Sequence, residues 1–152
     1  MAVKSKPDGY HSVTPYLIVR GGARAIDFYT RAFGGQELFR MDTPGGGIGH
    51  AEIQIGDSRV MLADEHPEVG ARSPESIGGS AVHLMIYVDD CDAVFNRAIA
   101  EGAKETRPLR DEFYGDRTGN LVDPFGHCWS IATHKEDLSP EEIQQRAEAH
   151  AK

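Results

Sequence analysis

The amino-acid sequence predicts an α+β fold made of two βαβββ modules, and two observations support this. The chain repeats itself, because TPYLIVRGGARAIDFYTRAF (14–33) and HLMIYVDDCDAVFNRAI (83–99) both pass from a β-prone run through a turn into an amphipathic segment. Each repeat then ends in two strand-like runs around a tight turn, at Gly56 in the first and Gly126 in the second. The two repeats are longer than the repeat units of solenoid proteins, so we expect them to form one domain together.

The expected organisation is one domain over residues 10–138, followed by a C-terminal helix or tail over 139–152. The two repeats occupy residues 10–66 and 80–136. Residues 65–80 are rich in Gly, Pro and Ser, and we expect them to join the repeats as a loop.

The helix of each repeat follows from apolar residues at helical spacing. We expect the first helix to end at Gly34-Gly35 and the second at Gly102. One of the carboxylates of Asp89 and Asp90 is the expected N-cap of the second helix. The apolar faces consist of Ala25, Phe28, Tyr29, Ala32 and Phe33 in the first helix, and of Val94, Phe95, Ala98 and Ile99 in the second.

Three strands are predicted after each helix. The first of them covers 37–41 in one repeat and 105–109 in the other. The C-terminal helix has Ser139 as its expected N-cap, Pro140 at its first position and Glu142 three residues after the cap.

The stretch GHAEIQIGDSRVMLADE (49–65) alternates strictly between apolar and polar residues. Ala51, Ile53 and Ile55 suit the helix-facing side of a sheet, so the side chains between them point to the opposite side. The same alternation collects a mixture of polar, aromatic and small side chains on that second side. They are Thr14, Tyr16, His50, Glu52, Met61, His83, Tyr87 and Ser130. If the sheets curl, these residues line a cavity of the kind that binds small molecules.

Composition excludes several classes of function. The chain carries 16 Lys and Arg against 24 Asp and Glu, a net charge of -8, which disfavours nucleic acid and anionic membranes as partners. It has neither an apolar run long enough for a membrane span nor a signal-peptide core. The two cysteines, Cys91 and Cys128, do not resemble a disulfide framework or a metal pair, so we expect free thiols and a cytoplasmic location.

The duplicated βαβββ pattern resembles the vicinal oxygen chelate superfamily, which includes glyoxalase I, bleomycin-resistance proteins and extradiol dioxygenases, and within it the PhnB-like branch. The resemblance covers about residues 10–142 and implies curved mixed sheets around a cavity. The residues that carry it are YHSVTPYLIV (10–19), AIDFYTRAFGG (25–35), GHAEIQIGDSRVMLADE (49–65), HLMIYVDDCDAVFNRAIAEGA (83–103) and FYGDRTGNLVDPFGHCWSIATHKEDLSPEE (113–142). The last block is the most specific.

The resemblance also implies four metal-ligand positions, which here are Thr14, Met61, His83 and Ser130. Metal-binding members commonly have His or Glu at these positions, and this chain keeps only His83. We therefore do not expect the standard metal site, because a divalent ion needs three or more protein ligands. A displaced site for zinc, nickel or iron could instead use His50, Glu52 and His83.

Further candidates lie near the ends of strands. Tyr114 and Arg117 are expected at the rim of the cavity, where Arg117 either clamps an anionic ligand or pairs with Asp116 or Asp123. Asp64 and Glu65 end a strand and are either acid–base or metal-binding groups or a solvated strand end. His11 is expected on the surface. We expect His127 and Trp129 to be structural.

Three functions compete at this point. The ligand-binding residues are predicted to be Tyr16, His50, Glu52, His83, Tyr114 and Arg117. They would serve either an enzyme that acts on a small molecule with a non-standard metal site, or a metal-free protein that sequesters a compound. A methyltransferase is the third candidate, because proteins of the PhnB-like branch are also described as resembling 3-demethylubiquinone-9 methyltransferase. It is disfavoured because no glycine-rich cofactor turn follows a strand. The resemblance further implies a homodimer.

Overall fold

The computed structural model describes residues 2–151 and confirms the predicted class, with two mixed four-stranded sheets and four helices. The chain divides into two compact units, Met1–Ala81 with Pro124–His127, and Val82–Asp123 with Cys128–Lys152. None of the helices within residues 2–151 combines the length and apolarity that crossing a membrane requires.

The first unit contains one βαβββ module and a short connecting helix. Its elements are β1 (Tyr16–Val19), α1 (Gly22–Phe33), β2 (Gln36–Asp42), β3 (Ile48–Ile55), β4 (Ser58–Asp64) and α2 (Pro74–Ile77). The strand order is β1-β4-β3-β2, with β1 parallel to β4 and the other pairs antiparallel. The parallel pair is possible because α1 and two further strands separate β1 from β4 along the chain.

The second unit repeats this module. Its elements are β5 (His83–Tyr87), α3 (Cys91–Ala100), β6 (Lys104–Asp111), β7 (Asp116–Val122), β8 (Cys128–His134) and α4 (Pro140–His150). The order β5-β8-β7-β6 is the counterpart of the first sheet, and β5 is parallel to β8.

The predicted caps are present in the structure. Gly34 ends α1 in the left-handed conformation that glycine tolerates. The Asp90 carboxylate accepts the amide of Ala93 and begins α3. The hydroxyl of Ser139 accepts the amide of Glu142 and begins α4.

The prediction of a loop over 65–80 is wrong in part. Pro67–Val69 forms a 3₁₀ turn, and α2 follows it. The local reason is a cap: the Ser73 side chain accepts the amide of Ser76, and Pro74 occupies the first helical position. A helix of four residues is too short to show helical periodicity in the sequence. The Gly, Pro and Ser content of the segment therefore predicted a loop.

Each sheet buries one face under its helices and leaves the other face open. In β3, Ala51, Ile53 and Ile55 are buried, whereas His50 and Glu52 on the other face are only half-buried. This confirms the predicted alternation. On the open face of the first sheet, Tyr16, Phe39 and Met41 remain exposed, and on that of the second sheet Met85 and Tyr87 do.

The Asp64 carboxylate connects the end of β4 to two other elements. One oxygen accepts the amides of Gly21 and Gly22 at the start of α1, at 2.8 and 3.0 Å, and the other accepts the amide of Ile48 in β3 at 2.7 Å. Gly22 permits this approach, because a Cβ there would lie 2.7 Å from Ile48 and 2.9 Å from Asp64 Oδ2. Asp64 is therefore neither a solvated strand end nor a free acid–base group.

We expect Asp64→Ala to lower the free energy of unfolding by about 2–3 kcal/mol, because three backbone N–H groups lose a charged acceptor. Urea denaturation followed by circular dichroism measures this. Asp27→Ala, which removes an exposed carboxylate from the middle of α1, is the control and should change the value by less than about 0.5 kcal/mol. Equal effects of the two substitutions would contradict the role of Asp64.

Candidate functional site

Four polar side chains form a hydrogen-bonded series on the open face of the first sheet. The Tyr16 hydroxyl lies 2.8 Å from His50 Nδ1, and His50 Nε2 lies 3.0 Å from Glu52 Oε2. The Tyr10 hydroxyl donates to the other oxygen of Glu52. Because an ionised carboxylate only accepts, His50 Nε2 carries a proton, and in the neutral ring Nδ1 accepts the proton of Tyr16. We call Tyr16, His50, Glu52 and Tyr10 the tyrosine–histidine network.

Strand register explains why these side chains meet. Tyr16 in β1 is level with Met61 in β4, and Met61 is level with Glu52 in β3, so the three side chains share one face in one row. His50 lies two residues from Glu52 on the same strand and the same face, about 7 Å away along the backbone. The long Tyr16 side chain reaches diagonally over β4 to the imidazole.

The pKa values of Tyr10 and Glu52 are shifted in opposite directions. Burial and the adjacent Glu52 carboxylate raise the pKa of Tyr10 to about 12. The hydrogen bond from Tyr10, followed by those from His50 and the charge of Arg59, lowers the pKa of Glu52. The guanidinium of Arg59 lies over the Tyr10 ring, 5.4 Å from its centroid. Tyr10 therefore stays protonated and Glu52 stays ionised near neutral pH.

A pocket of about 380 Å³ adjoins this network. Tyr10 and Met61 both line it, and Met61 lies between Tyr16 and Glu52 in the strand register. Lys6 also faces the pocket, and it has no hydrogen bond or ion pair with any residue in the described part of the chain. The lining residues are Ser5, Lys6, Pro7, Tyr10, His11, Ser12, Thr14 and Met61. The lining thus combines the ammonium group of Lys6 and several hydroxyls with the apolar side chains of Pro7 and Met61.

The donor atoms at the metal-ligand positions implied by the resemblance do not suit a zinc, nickel or iron ion. Thr14 offers a hydroxyl that already donates to the His11 carbonyl at 3.3 Å, and Met61 offers a thioether, which prefers softer ions. In the second unit His83 is exposed, and the Ser130 hydroxyl donates to Asn120 Oδ1 at 2.8 Å.

The displaced metal site proposed from the sequence meets a similar difficulty. Both ring nitrogens of His50 are hydrogen-bonded, to Tyr16 and to Glu52, so neither presents a lone pair to a metal. Within residues 2–151, we find no cluster of three or more His, Cys, Asp or Glu side chains arranged to hold an ion.

Arg117 and Tyr114 lie in the second unit, in surroundings that the sequence did not predict. Arg117 faces α3 and pairs with Asp92 through two bonds, of 2.7 and 3.1 Å, and with Asp111 at 3.3 Å, rather than with Asp116 or Asp123. Tyr114 is half-buried and packs edge-on against Phe113. Arg117 therefore links β7 to α3 through the ion pair with Asp92.

The open face of the second sheet carries two polar networks of its own. The buried Asp116 carboxylate accepts from the Tyr87 hydroxyl at 2.8 Å and lies 2.7 Å from His134 Nδ1. The carboxylates of Asp116 and Asp137 raise the pKa of His134. Beside them, Arg107 donates to Thr118 and, at 3.4 Å, to Asn120. Sequence reasoning missed Arg107, since an arginine in a strand is ordinarily exposed.

Glu65 also has a structural role. Its carboxylate accepts the amide and hydroxyl of Ser73, at 2.8 and 2.6 Å, the hydroxyl of Ser76, and at 3.4 Å the guanidinium of Arg20. These donors, those of Ser73 first, lower the pKa of Glu65 to about 2. Glu65 thereby fastens the 65–80 connection to the end of β4.

His127 and Trp129 are structural, as predicted. His127 Nε2 donates to the Ile18 carbonyl at 2.9 Å, and the Trp129 indole donates to Asp123 at 2.9 Å. Both cysteines are free thiols, Cys91 buried and Cys128 half-buried.

Most of the pocket lining escaped the sequence reasoning, which assigned His11 to the surface and did not single out Ser5, Lys6, Pro7, Tyr10 and Ser12. They precede β1 in a segment without regular secondary structure, so no periodicity reports which side chains point inward. The only available signal was the position of YHS (10–12) at the start of the most N-terminal family-like block.

Comparison with known proteins gives one family. The model of the Glyoxalase/Bleomycin resistance protein/Dioxygenase superfamily matches residues 9–131. The uncharacterized protein Rv0887c of Mycobacterium tuberculosis is 40% identical over 147 residues, which are 95% of this chain and 84% of that protein.

Solved structures with the same fold agree with this match. TioX from Micromonospora sp. ML1 is 26% identical with a TM-score of 0.64, over 85% of this chain and 100% of TioX. A putative 3-demethylubiquinone-9 3-methyltransferase, PhnB protein, from Bacillus cereus is 23% identical with a TM-score of 0.60, over 81% of this chain and 99% of the other. The second likeness concerns the fold alone.

We expect Glu65→Gln to remove part of the acid sensitivity of the protein. The pKa of Glu65 is lower in the folded than in the unfolded chain, so its stabilising effect is present above about pH 4.5 and disappears as the pH falls towards about 2. Melting temperatures measured across this window should fall less steeply in Glu65→Gln than in the wild type. Glu75→Gln, on the exposed side of α2, is the control and should keep the wild-type slope. A Glu65→Gln slope equal to the wild type would contradict the assignment.

Proposed function

The chain belongs to the Glyoxalase/Bleomycin resistance protein/Dioxygenase superfamily, the vicinal oxygen chelate proteins, and from this premise we propose that it holds and acts on a small anionic molecule in the pocket beside the tyrosine–histidine network. The observation that carries the proposal is the position of Thr14 and Met61. These residues occupy the metal-ligand positions implied by the resemblance, and both line the pocket. This supports a binding place in the first unit at the positions where metal-binding members have ligands, with other side chains in their place.

The charge of the pocket indicates the kind of ligand. Lys6 lacks a carboxylate partner among residues 2–151, whereas its neighbour Lys4 pairs with Asp8 at 2.8 Å. His11 and the hydroxyls of Ser5 and Ser12 offer further donors. On a chain with a net charge of -8, an unpaired cation in a concave site is a specific attraction for an anion.

The apolar part of the ligand has a place as well. Met61 and Pro7 form apolar parts of the wall, and a flexible thioether adapts to different shapes. A volume of about 380 Å³ lies at the small end of ligand pockets, which suits a molecule with one acidic group and a small apolar body.

No step of this function passes through a metal ion, because the hydroxyl of Thr14 and the thioether of Met61 do not suit a zinc, nickel or iron ion. The function proposed here uses only side chains of this chain. Binding should therefore survive dialysis against a chelator.

Three finer assignments belong to the same proposal. We place the chain in the PhnB-like branch, for which the blocks 10–19 and 113–142 and the fold of the Bacillus cereus protein are the support. A homodimer is proposed because relatives commonly complete their sites by pairing modules, and light scattering of the purified protein tests it. Two free thiols support a cytoplasmic location.

We expect benzoate to bind the pocket more tightly than benzamide, its neutral counterpart of nearly the same shape. Titration monitored by ¹⁵N–¹H NMR should shift the amides of Ser12, Thr14 and Met61, with and without prior chelator treatment. Lys6→Gln should weaken benzoate binding about two- to fivefold, the range for one exposed charge pair, and added salt should weaken it further.

The matched control is Lys4→Gln, which removes the same charge two residues away and outside the pocket. It should leave benzoate affinity within about twofold. Equal affinity for benzoate and benzamide would refute an anion site, as would shifts confined to residues away from the pocket.

A further inference from the structure

We propose that Tyr16, His50 and Glu52 form a proton-transfer site, in which the Tyr16 hydroxyl exchanges a proton with a small carbonyl compound bound on the open face of the first sheet. This inference rests on the proposed function, since it assigns chemistry to a ligand held in the adjoining pocket, whose lining residue Met61 is level with Tyr16 in the strand register. It names Tyr16 as the catalytic residue and gives His50 and Glu52 the task of moving and stabilising its proton.

The geometry meets the requirements for an activated hydroxyl. Tyr16 lies 2.8 Å from His50 Nδ1, within direct proton-transfer reach, and Glu52 holds the opposite ring nitrogen at 3.0 Å. Glu52 therefore selects the tautomer in which Nδ1 is the base, as the third member of a catalytic triad does. The second oxygen of Glu52 is fixed by Tyr10, so the carboxylate cannot rotate away.

Tyr16 is also accessible. Its exposed fraction is 47%, whereas the side chains of His50 and Glu52 are only 21% and 25% exposed. A ligand can therefore reach the hydroxyl while the imidazole and carboxylate stay largely shielded. Phe39 and Met41, both half-exposed beside His50, offer an apolar surface for the rest of the ligand.

The step is a balanced proton transfer. The Tyr16 oxygen takes an acidic proton from the carbon next to the ligand's carbonyl group, while its own proton passes to His50 Nδ1. The electron pair of the broken C–H bond stays on the ligand as an enolate. Glu52 stabilises the resulting imidazolium. Return of the proton to the same or a neighbouring atom completes an isomerisation or exchange, with no redox change and no added reactant.

Other tyrosines in the chain have different partners. The hydroxyls of Tyr10 and Tyr87 donate to the carboxylates of Glu52 and Asp116. Burial and the Glu52 carboxylate raise the pKa of Tyr10, and the hydrogen bond to Asp116 raises the pKa of Tyr87, which opposes formation of a phenolate. Tyr87 is 59% exposed, so it compares with Tyr16 in access but has a carboxylate where Tyr16 has an imidazole.

Benzenesulfonyl fluoride tests this without knowledge of the natural ligand. Attack by the tyrosine oxygen forms an S–O bond, the S–F bond breaks, fluoride leaves, and His50 accepts the phenolic proton. Peptide mass spectrometry of the full-length protein gives the labelling rate at each tyrosine. We expect Tyr16 to react at least about tenfold faster than Tyr87 in the same molecule. A ratio near one would overturn the proposal.

Variants separate the base from its surroundings. His50→Phe should lower the Tyr16 rate about tenfold, and Glu52→Gln should lower it by a smaller factor while the fold is retained. The matched control is His66→Phe, because His66 and Glu68 form an i,i+2 pair at 3.3 Å with no tyrosine hydrogen-bonded to it. Loss of Tyr16 labelling in the control would overturn the assignment to His50.

This test and the benzoate titration fail independently. Fast, His50-dependent labelling without benzoate binding would support the proton-transfer site and refute the anion pocket. Benzoate binding with slow labelling of Tyr16 would support the pocket and refute the proton-transfer site.

Discussion

The parallel pairing of β1 with β4 is the constraint on which the rest of the first unit depends. It places the first strand of the module beside the last, so the chain must leave the sheet through α1, form β2 and β3 on the far side of β4, and return through β4, the partner of β1. The Asp64 carboxylate stabilises this closure, because it binds the start of α1 and a neighbouring strand from the end of β4. The same pairing sets Tyr16 level with Met61. The candidate site is thus a consequence of strand register.

The first sheet buries only one of its faces, and this also shapes the candidate site. Helix α1 covers one face of the sheet, and the buried Phe28, Tyr29 and Phe33 form an aromatic cluster with Phe125. The other face needs no apolar core, so it can hold side chains that would cost free energy if buried without partners. His50 and Glu52 satisfy this condition by bonding to each other and to two tyrosines.

Much of the fold could be predicted from the sequence, because period-two and helical patterns report directly which residues face a core. The repeat, both long helices, their caps and the open face follow from such patterns. The tyrosine–histidine network does not, since the bond between Tyr10 and Glu52 joins residues 42 positions apart and depends on how an irregular segment folds back. The partners of Asp64, Glu65 and Arg117 were missed for a related reason, because hydrogen bonds between different elements produce no periodic pattern in the sequence. The sequence signals for the short helix α2 are one serine cap and one proline, which are too few to predict a helix.

The two modules have diverged in their ionisable groups while keeping the same register. Tyr16 is level with Met61 as Met85 is with Ser130, and Glu52 corresponds by the same pairing to Asn120. The row that carries a phenol and a carboxylate in one half therefore carries a thioether and an amide in the other. The two halves therefore keep one scaffold and carry different chemistry on it: this row of the second half has no ionisable side chain, whereas Tyr87, Asp116 and His134 lie elsewhere on the same sheet.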